Sequence, residues 1–268
     1  MMTLNYFDHS SVSNIIEEYY ELTFSNDCVP FESTVLPIGN THITSVFYGN
    51  QKAIINETKI RLSDIVISGQ FFRSYQFLIS EASHSFGISL HPTALFKILN
   101  CDISELYNKH LQLSRYNKTL YHLLSPILSK SKPSETIVND LNDVFLNIKL
   151  HKNKYTEDID KAIDIIKKND GLLTIQDILD HIKISQKTLE NQFKKIVGLT
   201  PGKYTRLYRF LKLMRMYESQ EIDLNDLIHM YNYYDRSHFT KDFKLFMRQS
   251  PKTYFNTNNP FLKEYLNK

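Results

Sequence analysis

The first third of the chain consists of short apolar runs that alternate with polar positions. Six of these runs lie between positions 33 and 91 and are rich in β-branched and aromatic residues. Alternation with a period of two is typical of strands that bury one face, so the pattern predicts several strands. The dipeptides Gly39-Asn40, Gly49-Asn50 and Gly69-Gln70 predict turns between them. Pro92 predicts the first turn of a short helix.

Residues 12–22 differ from these runs because their apolar positions follow a helical spacing. Ile15, Ile16, Tyr19 and Leu22 fall on one side of a helical wheel, which predicts a short amphipathic helix. Together with the strands, this helix completes a predicted β-rich N-terminal domain over residues 1–125.

A segment rich in Ser, Lys and Pro, residues 124–135, predicts a linker. The helix predicted after it carries its apolar side chains on one face, at Ile137, Leu141, Val144 and Ile148. That face covers only about two heptads, which favours packing on its own domain over a dimer seam. We therefore assign residues 126–154 to a linker and an amphipathic helix.

The second half of the chain carries an internal repeat with an offset of 49 to 50 residues. Thr174–Asp177 and Asp223–Asp226 both fit the capping box of a helix start. Later in the two copies, Phe193-Lys194 matches Phe243-Lys244, and Thr200-Pro201 matches Ser250-Pro251. The repeated residue types indicate a duplicated unit.

Each copy has the dimensions of a helix-turn-helix unit, with a short helix, a tight turn and a longer second helix. Ser185 and Asp235 are the predicted N-caps of the second helices, and a long helix after Pro201 joins the copies. The predicted fold class is α+β. A β-rich N-terminal domain precedes an all-α C-terminal domain over residues 155–258, and a tail follows at 259–268.

The charge of the chain is distributed unevenly. Residues 1–150 hold 11 Lys and Arg against 14 Asp and Glu, a net charge of −3, whereas residues 151–268 hold 21 against 15, a net charge of +6. Residues 183–252 alone have a net charge of +7. Two helix-turn-helix units within the most basic segment indicate double-stranded DNA as a partner.

The duplicated segment resembles the DNA-binding module of AraC/XylS-type transcriptional regulators over about residues 157–256. The resemblance rests on the segments Leu189–Pro201, Tyr233–Lys244 and Ser250–Tyr254. Asn232 and Arg248 stand where the family usually has glycine. The resemblance implies a sequence-specific regulator that inserts two recognition helices into successive major grooves.

The N-terminal half resembles an uncharacterised domain that precedes some AraC-type modules, at Ile16–Leu22 and Phe86–Leu95. We expect this domain to sense a small molecule or to mediate association. Two alternatives stay open: a catalytic site delivered by the DNA module, or a pure protein-interaction module. The sequence has no Gly-rich phosphate loop, no HExxH motif and no CxxC pair, so we predict no enzymatic activity, cofactor or metal.

The outward faces of the second helices are expected to meet the base edges. The base-reading candidates are Lys187, Glu190, Asn191, Arg236, Ser237, His238, Thr240 and Lys241. Asn suits adenine, Lys and Arg suit guanine, and Glu accepts from cytosine N4. The phosphate-contact candidates, which position the module without encoding sequence, are Lys195, Lys203, Arg206, Lys244 and Lys252.

The sequence shows neither a leader peptide nor an apolar run as long as a membrane span. Cys28 and Cys101 belong to no CxxC pair, which is typical of a reducing compartment. We expect a cytoplasmic protein without a membrane partner. Promoter or operator DNA is its main expected partner, and RNA polymerase, a small-molecule effector and a second copy of the chain are further candidates.

Overall fold

The computed structural model describes residues 1–129, 132–219, 222–257 and 260–266. Eight strands form one antiparallel sheet in the N-terminal part. They are β1 (Met2–Phe7), β2 (Ile16–Phe24), β3 (Phe31–Val35), β4 (Thr41–Ile55), β5 (Thr58–Ser68), β6 (Tyr75–Ile79), β7 (Ser83–Leu90) and β8 (His110–Gln112). The order is β1-β2-β7-β4-β5-β8, and β6 pairs with both β3 and β4. Side chains of all eight strands line one cavity, so the sheet curls around it.

Helices make up most of the remaining described chain. They are α1 (Ala94–Leu99), α2 (Leu113–Tyr116), α3 (Lys118–Leu124), α4 (Ser134–Asn147), α5 (Thr156–Lys168), α6 (Ile175–Leu179), α7 (Gln186–Val197), α8 (Pro201–Glu218), α9 (Leu224–Met230), α10 (Arg236–Met247), α11 (Pro251–Phe255) and α12 (Pro260–Leu266). The predicted α+β class, with a β-rich N-terminal and a helical C-terminal region, is confirmed. Within the residues described, no helix has both the length and the apolar character needed to cross a membrane.

The helix predicted over residues 12–22 is wrong, because most of this segment is strand β2. A bulge just after Ile16 shifts its pairing with β7. The strand is also covered on both faces: Tyr20 lines the cavity, whereas the Tyr19 hydroxyl donates to Asn142 of α4 at 3.1 Å. A bulge and two covered faces remove the simple alternation that identifies a strand.

The turn predicted at Gly49-Asn50 is also wrong, because both residues lie within the single strand β4. Gly49 has a φ of +96°, and a Cβ atom there would lie 2.2 Å from the Cβ of Ser83. The pairing of β4 with β5 shifts register across this point. As a result, the first part of β4 pairs with β7 and the last part with β6.

The helical region repeats one unit, as the sequence predicts. Helices α7 and α10 have 12 residues each, and α8 between the two units has 18. Thr174 and Asp177 form the predicted capping box of α6. The second predicted box is wrong: Asp223 accepts from the backbone N–H of Asn225 instead.

The amphipathic helix predicted around residue 140 is α4, which packs on the N-terminal sheet. Ile137 and Leu141 are fully buried, and the Ser134 hydroxyl donates to Glu21 of β2 at 2.6 Å. The apolar face of this helix is therefore used within the chain.

The two halves of the chain share contacts on several elements. Asp160 of α5 accepts from the Thr93 hydroxyl at 2.6 Å and from Lys97 of α1 at 2.9 Å. The predicted tail, residues 259–268, contains α12, which packs on β3 and α8; residues 259, 267 and 268 lie outside the described chain. The C-terminal segment thus returns to the N-terminal sheet.

Candidate DNA-binding surface and cavity

The first candidate recognition helix is α7, which begins at a well-formed cap. The Ser185 hydroxyl accepts from the backbone N–H of Thr188, and the left-handed Gly198 ends the helix. Leu189 and Phe193 are fully buried beneath it. The three base-reading candidates of this helix, Lys187, Glu190 and Asn191, are all exposed. One of them is already engaged on the helix, since Gln186 Nε2 donates to Glu190 at 2.9 Å.

Helix α10 repeats this arrangement in the second unit. Asp235 accepts from the N–H of His238 at 2.7 Å, and Arg248 ends the helix with a φ of 57°. Asn232 in the turn has a φ of 56°. Both positive φ values occur where the related module usually has glycine. The base-reading candidates Arg236, Ser237, His238 and Lys241 are exposed, and Thr240 is half-buried.

Two side chains beside α10 were not predicted from the sequence. Asn225 of α9 accepts from Arg236 Nε at 3.1 Å and so holds the guanidinium across the unit. Tyr234, in the turn, is 90 % exposed. The sequence signal at this position is an aromatic residue directly before the N-cap of α10. Its exposure in the structure makes Tyr234 a further candidate for contact with DNA.

The phosphate-contact candidates fall into two groups. Lys195, Lys244 and Lys252 are exposed and make no ion pair with the residues that the structure describes. Lys203 instead lies over the rings of Phe72 and Tyr107, at 5.4 and 5.3 Å from their centroids. Arg206, the fifth candidate, is half-buried and engaged with a buried carboxylate.

Arg206 donates to Asp242, a fully buried carboxylate of α10, through Nη2 and through Nε at 2.9 Å. The Tyr233 hydroxyl donates to the other oxygen of Asp242 at 3.0 Å, and Arg209 lies 3.7 Å away. The hydrogen bond to Asp242 raises the pKa of Arg206. This cluster fixes α10 against α8, so the geometry gives Arg206 a positioning contact.

The N-terminal domain touches the C-terminal ends of both candidate recognition helices. A Cβ atom on Gly198, after α7, would lie 3.3 Å from Gln70 and from the Ile103 carbonyl. At the other unit, the Ser74 N–H donates to the Phe246 carbonyl at 2.8 Å. The exposed N-terminal halves of α7 and α10 are left uncovered by these contacts.

The curled sheet encloses a mostly apolar cavity of about 130 Å³. Its apolar wall comes from the sheet and from α12, and it includes Val46, Leu62, Phe77, Phe261 and Leu262. Its polar side chains were not predicted from the sequence, because they come from separate strands and β8 is too short to show a periodic pattern. No three His, Cys, Asp or Glu side chains are grouped to hold a metal in the part of the chain that the structure describes.

Three polar side chains of the cavity lie in one row across the sheet. His42 of β4 is opposite Ser68 of β5, which is opposite His110 of β8. Ser68 Oγ and His110 Nδ1 are 2.7 Å apart. Burial lowers the pKa of His42 to about 4 and that of His110 to about 3. Both imidazoles are therefore neutral at pH 7.

Comparison with known proteins finds a family match in each half of the chain. A family described as a helix-turn-helix domain matches residues 178–257, and a domain of unknown function (DUF6597) matches residues 6–112. The HTH-type transcriptional activator RhaS of Escherichia coli is 27 % identical over 86 residues, which is 32 % of this chain and 31 % of RhaS. The RhaS of Pectobacterium carotovorum is 26 % identical over 76 residues, 28 % of this chain and 27 % of that protein. These matches support an AraC-type helix-turn-helix domain in the C-terminal half of the chain.

The helix-turn-helix match begins within α6 and ends after α11. The chain spans less than a third of the length of these RhaS relatives. Among solved structures, ToxT from Vibrio cholerae bound to (E)-4-(8-methylnaphthalen-1-yl)but-3-enoic acid aligns with 95 % of this chain and 97 % of its own, at 11 % identity and a TM-score of 0.47. The two family matches alone place a DUF6597 domain before a helix-turn-helix domain.

Proposed function

We propose that this protein is a sequence-specific transcription regulator that inserts α7 and α10 into two successive major grooves of promoter or operator DNA. The observation that carries the proposal is the repeated geometry of these helices. Each is capped, is buried on an apolar face and presents polar side chains at its exposed N-terminal half. A recognition helix contacts base edges with its N-terminal residues.

The proposed base contacts follow from the side chains at those positions. Lys187, Glu190 and Asn191 would read the first groove, and Arg236 with Ser237, His238, Thr240 and Lys241 would read the second. Arg236 is the strongest candidate for guanine, because a guanidinium can donate two bonds to O6 and N7. Asn225, which already accepts from it, would hold the side chain in place.

Lys195, Lys244 and Lys252 are the proposed phosphate contacts, since all three are exposed. Lys203 and Arg206 are proposed for this role only if DNA binding releases them from Phe72, Tyr107 and Asp242.

For the domain organisation, we propose residues 1–125 as a sensor or association domain, 126–154 as linker and amphipathic helix, and 155–258 as the DNA-binding domain. The cavity in the sheet is the proposed effector site. Contact with RNA polymerase and pairing of two copies stay predictions from the resemblance.

A binding-site selection with the full chain tests the DNA-reading assignment. We expect Arg236→Ala to relax the preference at one base pair, with a cost of about 1–3 kcal/mol for the preferred site. Lys195→Ala should weaken all sites equally, because a phosphate contact carries no sequence information.

Lys263→Ala, on the exposed side of α12 and away from both recognition helices, is the matched control and should leave selection unchanged. An unchanged base preference in Arg236→Ala would remove Arg236 from the reading set. Failure of the wild-type chain to enrich any sequence would contradict the proposed function itself.

A further inference from the structure

The cavity combines an apolar wall with a row of polar side chains that extends across five strands. Glu18 of β2 and His42 of β4 both pair with Ser89 of β7, and His42 continues the row to Ser68 and His110. Residues directly opposite each other in antiparallel strands project from the same face. This row supplies polar groups on one side of the cavity, and the remaining lining is mostly apolar, as at Val46, Leu62 and Phe77, with further polar groups at Thr44, Gln51 and Ser85.

Two buried ring nitrogens in this row lack a hydrogen-bond partner. They are His42 Nδ1 and His110 Nε2, and no described residue supplies one. His110 is only 7 % exposed, and its ring is held between Ser68 Oγ and the ring of Tyr75, whose centroid is 4.9 Å away. A buried polar atom without a partner is costly, so such atoms usually meet a ligand or an ordered water.

The charges around the cavity disfavour an ionic ligand. No lysine or arginine is among the described residues that line it, and Glu18 is the one carboxylate in the lining. Arg215 of α8 lies outside the lining and acts electrostatically on the lining Tyr6 and Tyr265. The two imidazoles are neutral at pH 7, because burial lowers the pKa of each. A bound carboxylate would lose its hydration without meeting a cation in the lining, and a bound ammonium would meet one carboxylate at the edge of an apolar space.

The apolar wall is completed by the C-terminal helix α12. Leu262 is 1 % exposed and Phe261 is 8 % exposed. The Phe261 ring packs edge-on against Phe31 of β3, with 5.9 Å between centroids, and Tyr265 also lines the cavity. This wall follows α11, the last helix of the second helix-turn-helix unit, so a single site contains parts of both halves of the chain.

We propose that the sheet cavity and α12 form one binding site for an uncharged amphipathic ligand, with its hydrogen-bonding end at the His42–Ser68–His110 row and its apolar body against Phe261 and Leu262. This proposal rests on the proposed effector role of the N-terminal domain and adds the chemical class of the ligand and the participation of α12. The volume of about 130 Å³ is close to that of a 150 Å³ apolar cavity that holds benzene, so the site suits a small ligand of about six or seven heavy atoms.

Three six-carbon probes that differ only in their head group test the class of ligand: hexan-1-ol, hexanoate and hexylammonium. Binding to the full chain is measured at pH 7 by calorimetry and by the shift in Tm. We expect hexan-1-ol to bind saturably and both ions to bind at least tenfold more weakly. His110→Phe, which keeps a ring but removes its nitrogens, should weaken hexan-1-ol at least tenfold, whereas the exposed control His122→Gln should not.

A second measurement tests the role of α12 without depending on the polar row. In the wild-type chain, decan-1-ol should bind more weakly than hexan-1-ol, because α12 limits the length of the cavity. Phe261→Ala combined with Leu262→Ala should reverse that order, and Lys263→Ala should preserve it. A reversed order cannot arise from misfolding, since a misfolded chain would lose both ligands.

Tighter binding of hexanoate or hexylammonium than of hexan-1-ol would overturn the proposed ligand class, as would the absence of binding by all three probes. An unchanged chain-length order in the double variant would overturn the role of α12. DNA selection with the same wild-type preparation separates these outcomes from failure of the proposed function, because site enrichment reports DNA binding whereas the alcohol titrations report binding in the cavity.

Discussion

At the scale of single residues, Asp242 is where the second unit and the long helix meet. It is fully buried, and its oxygens accept from Arg206 and Tyr233. A buried carboxylate is tolerated only when its lone pairs are satisfied. The sequence predicted Arg206 as a phosphate contact because it lies in a basic row on α8. That row could not reveal that one member faces a carboxylate 36 positions later in the chain.

The two cavity histidines lead to a pH prediction. Ser68, Phe71 and Tyr75 surround His110, and Tyr20 packs edge-on against His42. Because burial lowers the pKa of His42 to about 4 and that of His110 to about 3, protonation favours the unfolded chain, where the pKa is about 6.5. The stabilisation is complete above pH 6.5 and is lost as the pH falls towards these lower values.

We expect the free energy of unfolding to fall by about 2 kcal/mol per histidine between pH 7 and pH 5. Urea denaturation at several pH values would measure this loss. His42→Gln and His110→Phe should each reduce the pH dependence, whereas the exposed His122→Gln should leave it as in the wild type. Equal slopes in all four proteins would show that the buried imidazoles do not titrate on unfolding.

At the scale of elements, the sequence predicted helices better than strands. The C-terminal helices carry their signals locally, as caps such as Ser185 and Asp235 and as apolar positions at helical spacing. Strand β2 was predicted as a helix because its two covered faces and its bulge depend on α4 and β7, which are distant in the chain. Strand β4 was divided in two because Gly49 is typical of turns, although here it allows a bulge.

The true turn between β4 and β5 is Asn56-Glu57, where both residues have positive φ, 47° and 69°. Two-residue hairpins with this geometry favour Asn-Gly. We expect Glu57→Gly to stabilise the chain by about 0.5–1 kcal/mol. A left-handed conformation costs a non-glycine residue about 1–2 kcal/mol, and the greater flexibility of glycine in the unfolded chain offsets part of this gain.

Thermal and urea denaturation measure the effect of Glu57→Gly. Asn56 is kept, since its side-chain oxygen accepts from Arg248 at 2.9 Å. Lys59→Gly, two residues further along in β5, is the matched control and should destabilise the chain, because glycine weakens a strand interior. If Glu57→Gly is destabilised, the side chain of Glu57 stabilises the native turn by more than its positive φ costs.

At the scale of the whole molecule, the N-terminal domain contacts both helix-turn-helix units at the ends of α7 and α10. The α8 helix between the units spans about 27 Å at 1.5 Å per residue, whereas successive major grooves lie about 34 Å apart. Simultaneous insertion of both helices therefore requires bent DNA or a change in their separation. The contacts of Gln70 with Gly198 and of Ser74 with Phe246 place the N-terminal domain where it would resist such a change.

The distribution of charge leads to a prediction about salt. If about six phosphates are neutralised, the logarithm of the association constant should fall with the logarithm of salt concentration at a slope near −5. Five exposed lysines of the two units lie outside the base-reading set and account for most of this number: Lys183, Lys194, Lys195, Lys244 and Lys252. Removing Lys195 and Lys244 together should reduce the slope by about two, because each phosphate contact contributes about 0.9.

Titrations of one operator at several salt concentrations measure these slopes. Lys212→Ala is the matched control, since Lys212 pairs with Asp170 at 3.1 Å and should not contribute. Lys203→Ala should likewise leave the slope unchanged if the ammonium group stays over Phe72 and Tyr107 when DNA binds. If the slope falls by about one in Lys203→Ala, Lys203 leaves those rings for a phosphate when DNA binds. DNA binding would then separate α8 from the N-terminal domain at this contact. A wild-type slope near zero would mean that the basic face is only solvated.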